Sequence, residues 1–354
     1  MKVINNVRKN FSNNLLEWYK KNKRELPWRD IKDPYKIWLS EIILQQTKIS
    51  QGLPYYLKFI TNYPVISKLA EASEQEVLKM WEGLGYYSRA RNLHKTAQII
   101  VKDYNGIFPT SFDLLMKLPG IGDYTASAIS SFSNNEIQPV VDGNVYRLLS
   151  RLIGIPTPIN TTKSLLQFKE IANKLISKNN PSDFNQAIMD FGSLICKPKS
   201  PNCAECIYEK SCFAKFNQKI YDFPVKKNKV ANKIRFFNYL VFKSEEGGTL
   251  IEKRINKDIW QNLFQFPLIE SDKYLTKKNI ILELNKMNIL KNTHYNLSLF
   301  QNKCFDHKLT HQLINSFFWI VEVKSLKNNY VDIKNLNSFP FPKPITKFLT
   351  NYNW

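Results

Sequence analysis

Four cysteines in one short stretch constrain the fold of this chain more than any other feature of its sequence. They are Cys196, Cys203, Cys206 and Cys212, and six, two and five residues separate successive members. Thiolates are ligands of tetrahedral zinc or of an iron–sulfur cluster, and in a reducing compartment such a group indicates metal rather than disulfides. Spacing alone leaves zinc, an iron–sulfur cluster and free structural cysteines open. Cys304 lies far away in sequence and is expected to be a buried apolar residue.

The net charge of the chain favours a polyanionic partner. The 354 residues include 51 Lys and Arg against 30 Asp and Glu, which gives a formal charge of +21. Neutralising phosphates with such an excess releases counterions and drives association with nucleic acid. A compositional drift toward Lys, Asn and Ile explains the same charge without any partner. Charge therefore suggests nucleic acid without establishing it.

No segment of the sequence indicates a membrane or an export signal. There is no run of eighteen apolar residues, and residues 1–6 lack the apolar stretch of a signal peptide. We therefore expect a cytoplasmic protein with no membrane partner. The length of the chain favours two domains, and its 43% of hydrophobic residues is enough to bury substantial cores.

The apolar pattern divides the chain into a helical part and a mixed part. Helical spacing recurs at residues 34–48, 89–103 and 163–178. Strand-like runs follow at residues 236–243, 249–253 and 316–323. Between the two parts lies a basic segment that contains Lys226, Lys227, Lys229 and Lys233. We therefore predict a mainly α-helical domain at residues 1–215 with the cysteine loop at 196–212, a linker at 216–233, and an α/β domain at 234–354.

Two further motifs lie between helical runs. Residues 118–122 read Leu-Pro-Gly-Ile-Gly, and Gly120 and Gly122 allow a tight turn whose backbone N–H groups can bind a phosphate at a helix N-terminus. Twenty residues on, Asp142 follows two valines and precedes Gly143 and Asn144. An aspartate in such a position is ordinarily a helix cap or a turn residue. Each motif is weak evidence by itself.

Together, in this order, the hairpin, the aspartate and the cysteine loop resemble the helix-hairpin-helix DNA glycosylases over residues 8–215. The resemblance implies a [4Fe–4S] cluster held by the four cysteines, which shapes a basic loop for phosphate and is not the catalyst. In that loop Lys197, Lys199 and Lys210 are candidates for phosphate contacts. The resemblance also implies that Asp142 faces the sugar and that Asn144 helps to orient it.

Two positions indicate which glycosylase the chain resembles. Members of the superfamily that nick the strand carry a lysine where this chain has Tyr124, so no amine nucleophile is available there. Residues 38–47 resemble the corresponding segment of the adenine DNA glycosylases of the MutY type, in which Glu41 is the catalytic acid. A lone glutamate on an amphipathic helix is normally solvated, but the apolar surroundings of Glu41 make burial and a raised pKa the expectation.

The resemblance implies that the carboxyl groups of Glu41 and Asp142 have different roles in the reaction. A protonated Glu41 donates to N7 of adenine as general acid, and an ionised Asp142 stabilises or traps the oxocarbenium-like sugar. Tyr124 and Asn144 support this intermediate. The substrate is then double-stranded DNA in which adenine is mispaired with 8-oxoguanine or guanine. The enzyme removes the base and stops.

Further segments fit the same family. Residues 26–29 resemble the segment in which Trp28 packs near the flipped adenine and Arg29 approaches the catalytic glutamate. Residues 81–91 resemble the intercalation region. There Tyr86, together with Gln46 from the earlier segment, would enter the base stack and offset the cost of flipping. The ordinary alternative for Tyr86 is an aromatic residue of the core.

The C-terminal part resembles the Nudix-like domain of the same family, which reads 8-oxoguanine. Residues 258–267 match its Trp…Phe-Pro stretch, with Gln265 in place of the usual glutamate. Residues 305–311 match its Phe-x-His-x-Phe-Ser-His loop, with Leu309 and Thr310 in place of Phe-Ser and His311 kept. His307 and His311 are alternatively a pair of zinc ligands. A Nudix hydrolase needs Arg-Glu followed by paired glutamates for Mg²⁺, and residues 234–354 contain no such array, so nucleotide hydrolysis is not expected.

Two other functions remain open from the sequence. One is a bifunctional glycosylase for oxidised pyrimidines, against which Glu41 and Tyr124 argue. The other is a catalytically silent DNA-structure binder, which has no reason to carry Glu41 and Asp142 together. A monomer is the default oligomeric state.

Overall fold

The computed structural model describes residues 10–159, 161–227, 233–287, 294–326 and 330–354. These residues fall into two compact units. The first lies within Met1–Ala70 and Lys95–Asn228, and the second within Glu71–His94 and Lys229–Trp354. Lys229 of the predicted basic linker lies outside the described residues. None of the helices in the described ranges is both long enough and apolar enough to cross a bilayer.

The first two-thirds of the described chain is helical, as its sequence pattern predicts. In chain order the helices are α1 (Phe11–Asn22), α2 (Pro34–Leu44), α3 (Ile49–Asn62), α4 (Ile66–Glu71), α5 (Glu74–Met80), α6 (Ser88–Asp103), α7 (Phe112–Leu115), α8 (Asp123–Asn134), α9 (Gly143–Ile153), α10 (Thr162–Leu175), α11 (Pro181–Leu194) and α12 (Phe213–Phe216). In the first unit, α11 packs against α1, α8 and α9, and α2 packs against α3 and α8. The core of this unit therefore surrounds α11.

Helix α2 shows how local sequence sets an element of the site. Asp33 caps it by accepting hydrogen bonds from the backbone N–H groups of Tyr35 and Lys36, and Pro34 occupies the first helical position. Eight of its eleven residues are buried, so it is a core helix. The predicted helix ran to residue 48, but α2 ends at Leu44, and Gln46 just beyond it has a left-handed backbone with φ 54°.

Residues 216–227 of the predicted linker pack within the first unit, whereas Lys233 begins a strand of the second unit. The backbone N–H of Ile159 donates to the carbonyl of Val225 at 3.0 Å. The buried side chain of Arg151 donates through Nε to the carbonyls of Ile220 and Phe223 at 3.0 and 3.2 Å. These bonds satisfy backbone acceptors that an extended linker would leave to water. Residues 228–232 lie outside the described ranges.

The second unit contains a mixed sheet. Its strands are β1 (Lys233–Ser244), β2 (Gly248–Thr249), β3 (Glu252–Lys253), β4 (Phe264–Gln265), β5 (Leu268–Ser271), β6 (Tyr295–Leu299), β7 (Phe305–Lys308), β8 (Gln312–Val323) and β9 (Val331–Asp332), and its C-terminal helices are α13 (Lys277–Lys286) and α14 (Lys343–Asn351). The main sheet has the order β5-β1-β8-β6, with β7 also paired to β8. Strands β1 and β8 run parallel, and the other pairs of this sheet are antiparallel.

The strand predictions hold best where the sheet is buried. Residues 236–243 and 316–323 lie within the two central strands, whose near-continuous apolar runs are covered on both faces. Residues 249–253 do not form one strand, because β2 pairs with β9 and β3 pairs with β4 in two separate small sheets.

Residues 71–94 also belong to the second unit. Within it, Glu82 accepts a hydrogen bond from the backbone N–H of Phe341 at 2.9 Å.

Candidate active site

A cavity of about 560 Å³ in the first unit brings together the catalytic residues proposed from the sequence. This volume is in the range of ligand-binding sites, roughly 300–1,000 Å³. Side chains from α2, α8, α9 and α11 and from the segment before α2 line the cavity. Six of the predicted site residues are among them: Trp28, Arg29, Glu41, Tyr124, Asp142 and Asn144.

Glu41 is a buried carboxyl group on α2, with 8% of its surface exposed. The hydroxyl of Tyr124 donates to its Oε2 at 2.8 Å. Burial raises the pKa of Glu41 to about 7, because the charged form loses hydration, while the Tyr124 hydrogen bond and the charge of Arg29 act in the opposite direction. A carboxyl group with this pKa is protonated in a large fraction of molecules at neutral pH. It can therefore act as a general acid.

Asp142 lies at the N-terminus of α9 and faces the same cavity. Its Oδ1 accepts the backbone N–H groups of Asn144 and Val145 at 2.9 and 2.8 Å, and its Oδ2 accepts the amide of Asn144 at 2.6 Å. Burial raises the pKa of Asp142, and these three donors oppose that shift because they stabilise the carboxylate. Asp142 is thus both the helix cap that its local sequence indicates and a lining group of the cavity.

The side chain of Arg147, which the sequence analysis did not single out, forms a hydrogen bond with Asn144. Arg147 donates through Nη2 to Oδ1 of Asn144 at 2.9 Å and to the carbonyl of Gly192 at 2.6 Å. Its Nε donates to the carbonyl of Cys196 at 2.6 Å. Because Arg147 is one helical turn beyond Asn144 on α9, the spacing of three residues was the signal that could have revealed it.

The side chain of Arg29 is held by a buried acid. Arg29 donates through Nη2 to Oδ1 of Asp190 at 2.9 Å and through Nη1 to the hydroxyl of Tyr19 at 2.7 Å. Asp190 has no exposed surface and also accepts from Nε of Arg24 at 3.0 Å. The sequence analysis missed Asp190, although a charged residue within the apolar face of α11 is a signal of a buried pair. Trp28 is buried, and the centroid of its ring lies 5.0 Å from that of Tyr56.

The hairpin between α7 and α8 has two glycines, of which one is required by its backbone conformation and the other leaves space at a helix N-terminus. Gly120 has a left-handed backbone with φ 76°, which favours glycine. Gly122, the N-cap of α8, is extended, and a Cβ there would meet nothing within 4 Å. The missing side chain at Gly122 therefore leaves the N-terminus of α8 open for a ligand. Gln46 is exposed and lies in the turn after α2.

The four clustered cysteines line one cavity in the first unit. The cavity has a volume of about 30 Å³, and Arg151 and Lys215 also line it. Arg151 Nη1 lies 3.5 Å from Sγ of Cys196. Burial raises the pKa of the Cys206 thiol to about 12, so thiolates there require a cation for stability. Among the described residues, no three or more His, Cys, Asp or Glu side chains form a group that meets the geometry of an ion site.

An all-thiol set around a cavity lined with positive charge fits a [4Fe–4S] cluster. Such a cluster takes four cysteine thiolates as ligands, and Arg151 and Lys215, which line the cavity, would offset the negative charge of a bound cluster. Cys304, in the second unit, is half-buried against the apolar core of the sheet, and its Sγ lies 3.0 Å from Oδ1 of Asp306.

A second cavity, of about 430 Å³, lies within the second unit. Its lining includes Tyr86, Trp260, Leu309, Thr310 and His311. The last three form the turn between β7 and β8, and the hydroxyl groups of Tyr86 and Thr310 are 2.7 Å apart. Tyr86 is half exposed. The core alternative considered for Tyr86 from the sequence is therefore wrong.

The two hydrogen bonds of the Gln265 side chain need an amide, whereas the family pattern has glutamate at this position. Its amide oxygen accepts from Nη1 of Arg254 at 2.6 Å, and its amide nitrogen donates to Oε1 of Glu252 at 2.7 Å. A glutamate at this position has no hydrogen to donate and would place two carboxylates together. Among the other residues of this region, His307 is half-buried beside Trp260, and burial lowers its pKa.

Comparison with known proteins identifies the families that two parts of the sequence resemble. Residues 39–174 match the model of the HhH-GPD superfamily base excision DNA repair proteins, and residues 238–351 match that of the NUDIX domain. The chain is 36% identical over 353 residues to the adenine DNA glycosylase of Buchnera aphidicola subsp. Acyrthosiphon pisum, with 97% of each protein covered. It is 40% identical over 214 residues to the adenine DNA glycosylase of Homo sapiens, which covers 58% of this chain and 39% of that protein.

Solved structures resemble the N-terminal part of the chain. A thermostable thymine-DNA glycosylase is 29% identical with a TM-score of 0.56, covering 60% of this chain and 98% of that one. An endonuclease III in a non-covalent DNA complex is 23% identical with a TM-score of 0.52, covering 60% and 97%. The second likeness shows the fold alone.

Proposed function

The chain belongs to the adenine DNA glycosylases, hydrolases of N-glycosyl bonds in base excision repair, and we propose that it removes adenine mispaired with 8-oxoguanine or guanine. The single observation that carries the chemistry is that Glu41 and Asp142 line one cavity in different hydrogen-bonding environments. Glu41 accepts one hydrogen bond from a side chain, whereas Asp142 accepts three hydrogen bonds. Different environments are how two carboxyl groups take different roles.

Glu41 is the general acid of the proposed reaction. Adenine leaves poorly until N7 takes a proton, and a buried carboxyl group with a pKa near 7 holds that proton at neutral pH. Proton transfer of this kind contributes about a hundred- to ten-thousand-fold in rate. After the base has left, the ionised Glu41 activates the water that completes hydrolysis. Tyr124, which donates to Glu41, keeps the carboxyl group oriented toward the cavity.

Asp142 stabilises the positive charge that develops on the sugar. Its three donors favour the carboxylate, and a carboxylate next to an oxocarbenium-like carbon lowers the energy of the transition state or traps the sugar covalently. Asn144 fixes the position of this carboxylate through its amide. Because Tyr124 occupies the position of the lysine found in strand-nicking relatives, the reaction stops at the abasic site.

Duplex DNA is the proposed partner. The open N-terminus of α8 behind Gly120 and Gly122 fits a phosphate, and the net charge of +21 favours the polyanion. Trp28 packs beside the flipped adenine, and Gln46 and Tyr86, which are both exposed and have left-handed backbones, enter the base stack. The enzyme acts as a cytoplasmic monomer.

The cavity of the second unit is the proposed reader of 8-oxoguanine. Leu309, Thr310 and His311 form the turn that lines it, and the hydroxyl of Thr310 can accept the N7–H that distinguishes the lesion from guanine. Leu309 supplies an apolar surface where the family pattern has phenylalanine.

The four cysteines of residues 196–212 are the proposed ligands of the [4Fe–4S] cluster. When bound, the cluster holds the loop in one conformation by cross-linking it through four thiolates. The loop then presents Lys197, Lys199 and Lys210 to phosphates.

A single-turnover assay tests this function. Duplexes with adenine opposite 8-oxoguanine, adenine opposite guanine and adenine opposite thymine are incubated with excess protein and analysed with and without alkali. We expect cleavage at adenine only after alkali, fastest opposite 8-oxoguanine and negligible opposite thymine. Nicking without alkali would indicate a bifunctional enzyme, and no cleavage in any lane would indicate a DNA binder without activity.

A further inference from the structure

An aspartate occupies the first position of helix α8, directly after the hairpin glycines. Asp123 is this residue, and Gly122 before it is an N-cap that has no side chain with which to cap the helix. The first backbone hydrogen bond of α8 runs from the N–H of Ala126 to the carbonyl of Gly122 at 2.9 Å. The N–H groups of the first turn therefore have no acceptor within the helix. They belong to the proposed phosphate site.

The carboxylate of Asp123 is an anion of the protein itself at the edge of this site. Carboxylates cap free N–H groups at helix N-termini, and the positive end of the helix dipole attracts them. A free carboxylate at this position would therefore compete with a phosphate for the N–H groups and repel it by charge. In the described part of the chain, Asp123 makes no hydrogen bond to the N–H groups of α8 and instead accepts one from Nζ of Lys169.

Lys169 lies on α10, 46 positions along the chain from Asp123. The pair is partly buried, with 22% of the Lys169 side chain and 30% of the Asp123 side chain exposed. The Nζ of Lys169 also lies 4.6 Å from the centroid of the Phe112 ring, and this cation–π contact holds the ammonium group next to α7. The other ion pair of α10, between Lys174 and Glu170, is more open to water, with 44% and 66% of the side chains exposed.

We infer that Lys169 is a positioning residue for DNA binding, which draws the Asp123 carboxylate aside and neutralises it so that a phosphate can occupy the N-terminus of α8. The inference rests on the proposed function, in which the open end of α8 receives a phosphate of the duplex. Lys169 acts through Asp123 and does not itself contact the phosphate. Loss of Lys169 therefore leaves a negative charge at the phosphate site, and replacing Asp123 by a neutral residue reverses that effect.

The experiment measures the dissociation constant for a fully paired duplex by fluorescence anisotropy at one fixed salt concentration. Such a duplex contains no adenine mispair, so binding is measured apart from excision. The proteins are the wild type, Lys169→Gln, Asp123→Asn and the double variant that combines these two substitutions.

Two control proteins are matched in charge to the test variants. Lys174→Gln removes one positive charge from the same helix as Lys169→Gln does. The combination of Lys169→Gln with Glu170→Gln has the net charge of the wild type but keeps the Asp123 carboxylate. Any effect of net charge alone is therefore the same in this control as in the double variant.

We expect Lys169→Gln to weaken binding about tenfold, because an unpaired carboxylate then faces the phosphate at a partly exposed site. Adding Asp123→Asn should return the dissociation constant to within about twofold of the wild type, because the two residues act as one pair. Adding Glu170→Gln should leave the binding weak, since the charge of an exposed side chain is screened by salt. For the same reason Lys174→Gln should weaken binding by no more than about twofold.

Asp123→Asn alone should bind the duplex at least as tightly as the wild type, because it removes the competing anion and keeps the charge of Lys169. This variant tests the inference even where Lys169→Gln folds poorly. Thermal unfolding of every protein measures any effect on the fold. Partly exposed ion pairs contribute little to folding, so the melting temperatures should stay close to that of the wild type.

Three outcomes overturn the inference while the proposed function stands. If the double variant binds as weakly as Lys169→Gln, Lys169 contacts DNA or supports the fold and does not act through Asp123. If Glu170→Gln restores binding as well as Asp123→Asn does, only net charge matters. If Asp123→Asn alone weakens binding, Asp123 is not a competitor of the phosphate. A wild type that does not bind the duplex would instead contradict the proposed function, and the inference fails with it.

Discussion

The hydroxyl of Tyr124 donates a 2.8 Å hydrogen bond to Oε2 of Glu41, and both side chains line the same cavity. This bond opposes the effect of burial on the pKa of Glu41. The pKa of Glu41 is therefore set by two opposing effects. Desolvation favours the protonated form, and the hydrogen-bond donor favours the charged form.

The rate of excision should fall with rising pH. A general acid acts in its protonated form, and the protonated fraction of Glu41 decreases as pH passes the pKa of about 7. We expect the single-turnover rate to fall about tenfold per pH unit above that value.

Glu41→Gln should reduce excision by at least about a hundredfold at every pH while DNA binding in a gel-shift assay is kept. Normal turnover by this variant would rule out Glu41 as the acid.

Removing the Tyr124 hydroxyl should shift the pH profile upward. Tyr124→Phe deletes a donor to the carboxylate, so the charged form of Glu41 becomes less stable and its pKa rises further. The descending limb of the rate profile should move to higher pH. Tyr104→Phe, which alters a phenol of the first unit outside the cavity, is the control and should leave the limb in place. A shift to lower pH would contradict the role assigned to the Tyr124 hydrogen bond.

Glu41→Gln should stabilise the fold at alkaline pH. The folded-state pKa is raised from the usual 4.5 to about 7, so below pH 4.5 the carboxyl group is neutral in both states and costs nothing. Between pH 4.5 and 7 the carboxyl group ionises in the unfolded chain while it stays protonated in the folded protein, so above about pH 7 the wild type has lost about 2–3 kcal/mol relative to a neutral side chain. Thermal unfolding at pH 5 and pH 8 measures this. Equal melting temperatures at pH 8 would show that Glu41 is hydrated.

Gly192→Ala should disturb the support of Asp142. A Cβ on Gly192 would lie 2.9 Å from both Cβ and the carbonyl oxygen of Asn144, so α11 and α9 must separate. We expect a loss of about 1–3 kcal/mol in stability and a larger relative loss of excision than of DNA binding. Gly143→Ala introduces a Cβ into open space and serves as the stability control. Wild-type stability and excision in Gly192→Ala would show that the close approach is unimportant.

Loss of one clustered cysteine should remove the cluster. Cys203→Ser deletes one of the four thiols around the cavity, so the purified protein should lose the brown colour and the broad absorption at the blue edge of the visible range. DNA binding should weaken as the loop loses its cross-link. Cys304→Ser, outside this group, should keep the colour. A colourless wild type containing zinc would refute the [4Fe–4S] proposal.

The sequence predicts which residues are candidates for the chemistry, because that chemistry restricts their identity. The cysteine spacing, Asp142 before Gly143, and Glu41 in an apolar helix are visible without coordinates, and the cavities bring each group together. The hydrogen bonds that hold these residues are not visible. Asp190 pairs with Arg29 across 161 positions of the chain. No local pattern reveals a partner at that separation.

The arrangement of elements was predictable where burial is periodic and less so at turns. The central strands β1 and β8 follow their apolar runs, whereas the short strands β2 and β3 depend on partners distant in sequence. The contact between Tyr86 and Thr310 spans 224 positions and joins two motifs that the sequence analysis had placed in different domains.

The grouping of residues 71–94 with the C-terminal third makes the second unit discontinuous in sequence. A chain shortened after the first unit would keep this internal segment but lose the strands and loops on which it packs, including the backbone of Phe341 that donates to Glu82. Arg91 would also lose the carbonyl of Gln261, to which its Nη1 donates at 2.8 Å. Removing the C-terminal part would therefore leave an internal segment that has lost its packing partners. Gain or loss of that part during evolution thus requires compensating changes in the middle of the chain.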